Sequence, residues 1–109
     1  MSIEYDVVIY ETSAGKRPFE RWIKKLKDHQ AAAIIKVRLS RVQLGNLGDS
    51  KSVGQGVHEL RINFGPGYRV YYGRIGQKVV LLLCGGNKSS QEKDISLAKD
   101  YLEDFLERR

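Results

Sequence analysis

Hydrophobic positions along this chain change period several times, and each change marks a predicted element. Residues 5–10 (YDVVIY) are β-branched and aromatic, which predicts a first strand. Residues 11–16 (ETSAGK) read as a loop. Pro18 then suits the first turn of a helix. Phe19, Trp22, Ile23 and Leu26 recur at i, i+3, i+4 and i+7, one apolar stripe, with Arg21, Lys24, Lys25 and Lys27 mostly off it. Asp28 is placed to end this helix and cap the next. A second helix is predicted over 29–44. Ala32, Ile35, Leu39 and Val42 form its stripe, Ala31 and Ile34 widen it, and Lys36, Arg38 and Arg41 lie outside it. Gly45 is a stop signal. The two helices are expected as an antiparallel hairpin with a basic exterior.

The second half switches to period two. Residues 46–56 (NLGDSKSVGQG) read as a loop, followed by strands over 57–64, 68–74 and 78–84. Gly76-Gln77 suits a two-residue turn between the last two strands. The run VVLLLC is apolar on both faces, so its strand should be central and covered. Gly85, Gly86 and Asn87 should break it. Ser89 and Glu92 have the spacing of a capping box for a last helix to about residue 107. That helix carries a stripe of Ile95, Ala98, Leu102 and Phe105. The expected order is β-α-α-β-β-β-α: an α+β fold with a curved antiparallel sheet against the helical hairpin and a C-terminal helix. Residues 1–109 read as one domain.

The stretch HELRINFGPGYRVYY is a hairpin whose register decides its chemistry. A loop of Gly65-Pro66-Gly67 pairs Phe64 with Tyr68, Ile62 with Val70 and Leu60 with Tyr72, giving a core face. The other face then carries Glu59, Arg61, Asn63, Arg69 and Tyr71, with Arg61 across from Tyr71 and Asn63 across from Arg69. His58 shares the parity of Leu60 and Ile62 and reads as a core-edge residue; His29 reads as exposed.

Charge gives this face a meaning. The chain has a net charge of +6, which favours polyanion partners, nucleic acid first. A single cysteine, Cys84, excludes an internal disulfide and a Cys-rich zinc site, and it reads as a buried hydrophobe in a reducing cytoplasm. No Asp/Glu/His cluster has metal-ligand spacing, so neither metal nor cofactor is expected. The opening MSIEYDVVIY has no basic flank and apolar core, so no export signal is expected, and no apolar run is long enough to span a membrane. Arg61 and Arg69 can clamp phosphates in a fork geometry. Tyr71 offers a stacking surface and a hydroxyl, and Glu59 can orient an arginine or accept a proton. Lys88 follows the central strand and can reach the same end. Two readings stay open: a site, or the solvated outer face of a sheet with weak surface pairs.

These residues resemble a family. GVHELRINFGPGYRVYYG followed by VVLLLCGGNKSSQEKDISLAKDYLEDF is similar to the RelE/ParE toxin superfamily, in its HigB-like, phage-derived addiction-module killer branch. The P-F-x-x-W-I start of the first helix matches as well. The resemblance implies a RelE-like toxin of a type II toxin–antitoxin system. RelE-like and HigB-like members cut mRNA on the ribosome without a metal, using the RNA's own 2′-hydroxyl, and so inhibit translation. ParE-like members poison DNA gyrase instead, and a non-catalytic binding relic is a third class. The implied partners are mRNA, the ribosome and a cognate antitoxin, usually of helix-turn-helix type. The implied catalytic residues are Arg69, Lys88, Arg61 and Glu59, which match the family's motifs, and Tyr71 joins them from its place on the same face of the hairpin. Asn63, Lys93, Lys24, Lys25 and Arg41 are the expected RNA-binding positions. RelE proper has two lysines on the strand before the G-Y-R motif and a tyrosine six residues after its post-strand basic residue. This chain has no lysine there and Asp94 at the latter place, which leaves Tyr71 and Glu59 as alternative proton acceptors.

Overall fold

The computed structural model describes residues 4–109. The chain order is β1 (Asp6–Ile9), α1 (Pro18–Lys25), α2 (His29–Gln43), β2 (Ser50–Gly54), β3 (Val57–Ile62), β4 (Tyr68–Ile75), β5 (Val79–Asn87), a single 3-10 turn (Lys88–Ser90) and α3 (Gln91–Arg108). The five strands form one open sheet in the order β1-β5-β4-β3-β2. The fold is α+β. The sheet is mixed, because β1 runs parallel to β5 while every other pair is antiparallel. This corrects the all-antiparallel expectation: the helical hairpin between β1 and the rest returns the chain so that β1 lies beside the last strand. A second correction is β2, which lies inside the stretch read as a loop. Its sequence SKSVG is polar and ends in glycine, so it has no strand signature of its own, and β3 recruits it as an edge.

The helix signals held. Asp28 caps α2 through a side-chain acceptor to the Ala31 N–H at 3.1 Å. Gly45, at φ 94°, closes α2 with two reverse bonds, Gly45 N–H to Val42 C=O and Asn46 N–H to Arg41 C=O. At α3 the cap differs from the expectation. The capping box belongs to the preceding 3-10 turn, where Asn87 accepts and Ser90 answers it, and α3's own N-cap, Ser90, makes no side-chain capping bond. The strand β5 runs through Gly85 and Gly86 to Asn87 instead of breaking there, and the β4–β5 loop has three residues, 76–78, instead of two.

Two cores lie on the two faces of the sheet. Phe19, Ala31, Ile35 and Val42 from α1 and α2 pack on Leu60, Ile62, Tyr68, Val70, Tyr72, Val80 and Leu82. Ala98 and Leu102 of α3 pack on Val57, Tyr71, Leu81, Leu83 and Cys84. Leu83 and Cys84 are neighbours on one face because β5 bulges there: Tyr71 pairs with Cys84 but Tyr72 pairs with Leu82. Without that extra residue the alternation would send one of the two to the wrong side. His58 stacks on Tyr72 at 5.2 Å, and burial lowers its pKa. Among the described residues no helix is long and apolar enough to cross a membrane.

Gly85 marks a close contact between α1 and the sheet. The Trp22 ring lies directly over it, in the space a Cβ would occupy. Gly85→Ala is therefore expected to overpack the α1 face, destabilising the fold by about 1–3 kcal/mol, read as a lower urea midpoint with an unchanged m-value. An unchanged midpoint would show that Trp22 is not seated on β5.

Candidate functional site

The faces of the hairpin are as the hydrophobic pattern predicts, but the pairs are shifted by two residues. Ile62 pairs with Tyr68, Leu60 with Val70, Glu59 with Tyr71 and Arg61 with Arg69, so the loop has five residues, 63–67. A shift of two conserves the face of every side chain, which is why parity alone could not fix the pairing. Phe64 N–H bonds Ile62 C=O and Gly67 N–H bonds Phe64 C=O, a folded loop in place of the expected last rung. Two rows result on the α3 face: Glu59–Tyr71–Cys84 and Arg61–Arg69–Gly86.

That face is not open. α3 must cover Leu81, Leu83 and Cys84, and in doing so it covers its polar neighbours. Glu59 and Tyr71 are both 0% exposed, and Arg69 is 9% exposed. Tyr71 therefore has no ring face free to stack a base, and Glu59 is enclosed. The cluster pairs internally. Arg69 Nε stands 2.7 Å from Glu59 Oε1. The oxygen lies off the N–H direction, so this contact is ionic, and among the described residues Nε makes no hydrogen bond. Gln91, the first residue of α3, donates Nε2 to both carboxylate oxygens at 3.1 Å. Ser90 Oγ donates to Asp94, whose carboxylate occupies the space over Gly86. Among the described residues the Tyr71 hydroxyl has no partner, and its pKa is pushed up by burial and then by the negative field of Glu59 and Asp94. Burial also pushes the Cys84 thiol up to about 12.

Two arginines directly opposite each other would repel. The conflict is resolved by turning them apart. Arg69 goes inward to Glu59, while Arg61 goes outward to Asp49, with Nε and Nη2 on one oxygen at 3.1 and 2.8 Å. Arg61 thereby joins Asn63, Arg38 and Arg41 in the walls of a cleft of about 360 Å³ between α2, the segment before β2 and β3. Arg38 is the residue sequence reasoning missed. It is half-buried and donates to Leu47 C=O at 2.9 Å and Asp49 C=O at 3.3 Å; burial lowers its pKa. The i, i+3 spacing to Arg41 was the available signal, but its partner Arg61 lies on a distant strand. Lys88 is exposed and borders the same loop, its Cβ 3.7 Å from the Cβ position at Gly67. Lys93 is exposed on α3, and Lys25 and Lys24 lie on α1, where Lys24 pairs with Glu20 at 2.9 Å. The predicted positions thus divide: Glu59, Arg69 and Tyr71 form a buried cluster, Arg61, Asn63 and Arg41 line a basic cleft with Lys88 across the loop, and Lys24, Lys25 and Lys93 stand apart. Among the described residues, no three His, Cys, Asp or Glu side chains converge to hold a metal.

The cluster predicts opposite results from two substitutions. Glu59→Gln leaves the Arg69 charge buried without its counter-charge and should cost about 3–5 kcal/mol. Tyr71→Phe removes a hydroxyl that has no partner, and should leave stability unchanged or raise it by about 1 kcal/mol. Urea denaturation of both variants checks this; a larger loss from Tyr71→Phe would show a missing partner for that hydroxyl. Alkali should act through the buried acids. Cys84 moves from its ordinary 9.0 to about 12 and Tyr10 from 10.0 to about 12, both chiefly by burial. Folding holds their protons more tightly, so their contribution is complete below about pH 9 and is lost as pH rises towards 12. The urea midpoint should be level from neutral pH to about pH 9 and fall steadily above that.

No protein-family model matches the chain. An uncharacterized protein of Haemophilus influenzae is 53% identical over 81 residues, covering 74% of this chain and 82% of that protein. Identity at that level over most of both chains establishes common descent, and the chain belongs to the same family as the Haemophilus influenzae protein.

Proposed function

We propose that the chain is a RelE/HigB-like toxin of a toxin–antitoxin pair, acting in the cytoplasm as a metal-independent, ribosome-dependent mRNA endoribonuclease. One observation carries the reading: Arg38, Arg41, Arg61 and Asn63 line one cleft at the end of the sheet, with Lys88 across the adjoining loop. Such a group is suited to an RNA backbone. In the reaction, the 2′-oxygen attacks phosphorus in line and the bond from phosphorus to the 5′-oxygen breaks. The products are a 2′,3′-cyclic phosphate and a 5′-hydroxyl, which takes a proton as it leaves. Arg61 and Lys88 hold the phosphate and stabilise its developing charge. Glu59 and Tyr71 are enclosed, so the chain's contribution is electrostatic and positional, and the 2′-hydroxyl proton passes to water or to the ribosome. Arg69, tied to Glu59, fixes the strand that carries this end. A cognate antitoxin fits the exposed Val37, which stands beside Arg38 and Arg41 on α2, and the exposed Leu44 that caps the helix.

The enclosure of Glu59 and Tyr71 favours a second reading within the same superfamily, a gyrase-directed toxin that needs no proton acceptor. Cell-free translation separates the two. Codon-positioned mRNA ends should appear with the wild type and fall by about 100-fold in Arg61→Ala/Lys88→Ala. Both side chains are accessible, so the variant should keep its unfolding free energy within about 1 kcal/mol. Intact mRNA alongside gyrase-dependent DNA breaks would overturn the ribonuclease reading in favour of the second.

A further inference from the structure

A second cleft joins a different set of groups. β5 outruns β1: Ile9 at the end of β1 pairs with Leu82, while β5 continues to Asn87. Along that free flank Trp22 lies on Gly85 from the α1 side, and Tyr101 of α3 packs on Tyr10 with ring centres 5.1 Å apart. The Trp22 and Tyr101 rings line one cleft of about 270 Å³ together with Thr12, Lys16, Arg21 and Lys25. Lys16 is presented by a closed turn in which Thr12 N–H donates to Lys16 C=O and Thr12 Oγ1 accepts from Lys16 N–H.

The charges of this region are sorted by side. Arg17 pairs with Glu11 and Glu20, and Lys24 pairs with Glu20. Among the described residues no carboxylate pairs with Lys16, Arg21 or Lys25, the three cations that face the cleft. The acidic residues of this region therefore neutralise its outside and leave the cleft positive.

We propose that this cleft binds single-stranded RNA, with a base against Trp22 and Tyr101 and the neighbouring phosphates on Lys16, Arg21 and Lys25. Free phosphate or an acidic peptide would use the cations and leave the two rings idle. A duplex keeps its bases stacked inside. An unpaired strand offers both a π-face and closely spaced charges, and so matches both halves of the lining. Neither Arg61 nor Lys88 lines this cleft. It rests on the RNA-directed reading for its ligand class and not on cleavage.

Trp22 is the only tryptophan of the chain, so its fluorescence reports on this cleft alone. The full chain carrying Arg61→Ala/Lys88→Ala is titrated with a short oligouridylate, with polyphosphate and with polyglutamate. Oligouridylate should quench Trp22, while the two polyanions without bases should not. Lys16→Gln/Arg21→Gln/Lys25→Gln should weaken oligouridylate binding by about tenfold or more and reduce the slope of log K against log salt by about 2. Lys51→Gln, exposed on β2 at the opposite edge of the sheet, should change it by less than about twofold. Absence of quenching by oligouridylate, equal quenching by either polyanion, or an equal loss in Lys51→Gln would overturn the proposal. Codon-positioned cleavage without Trp22 quenching would remove this site and leave the proposed function standing; quenching without cleavage would do the reverse.

Discussion

β5 has no polar face to offer to water. Val80 and Leu82 point to one side, Leu81, Leu83 and Cys84 to the other, and all are buried. A strand of this kind must be central and must be covered twice. The α1–α2 pair supplies one cover and α3 the other, and the remaining strands take their places around that requirement. Two glycines follow the apolar run because both covers come down on the strand at its end. Trp22 closes on Gly85 from one side, and Asp94 closes on Gly86 from the other.

The same requirement decides the fate of the polar side chains. Glu59, Arg69 and Tyr71 share the face that α3 has to cover, and they cannot avoid it without exposing Leu81 and Leu83. They are buried as a consequence, and they compensate by pairing: Glu59 with Arg69, and Gln91 across both carboxylate oxygens. A buried pair of this kind adds little net stability, but it is costly to break. Charge that remains accessible is displaced to the margins of the sheet. One margin is the cleft of Arg38, Arg41 and Arg61; the other is the flank of β5 beside Trp22.

Much of this was legible in the sequence. The stripe Phe19, Trp22, Ile23, Leu26, the Asp28 cap, the Gly45 stop and the two-sided run in β5 each have a local cause. The alternation in HELRINFGPGYRVYY separated Leu60, Ile62, Val70 and Tyr72 from Glu59, Arg61, Arg69 and Tyr71, because parity is a local property. Pairing is not, and the five-residue loop moved every partner by two without moving any face. β2 was illegible because SKSVG forms a strand only when β3 offers it an edge. The burial of Glu59 and Tyr71 was hidden for a similar reason: α3 advertises its own apolar stripe, but nothing in that stripe says which strands lie beneath it.

A double-mutant cycle between Glu59 and Arg69 tests most directly whether the polar face is a closed, self-paired cluster under α3. Stability is measured for Glu59→Gln, Arg69→Met and the double variant by urea denaturation. Enclosure predicts that the double variant loses less than the sum of the singles by about 2 kcal/mol or more, since removing both charges leaves neither stranded. Additivity within about 0.5 kcal/mol would contradict it and return these residues to an open, solvated face.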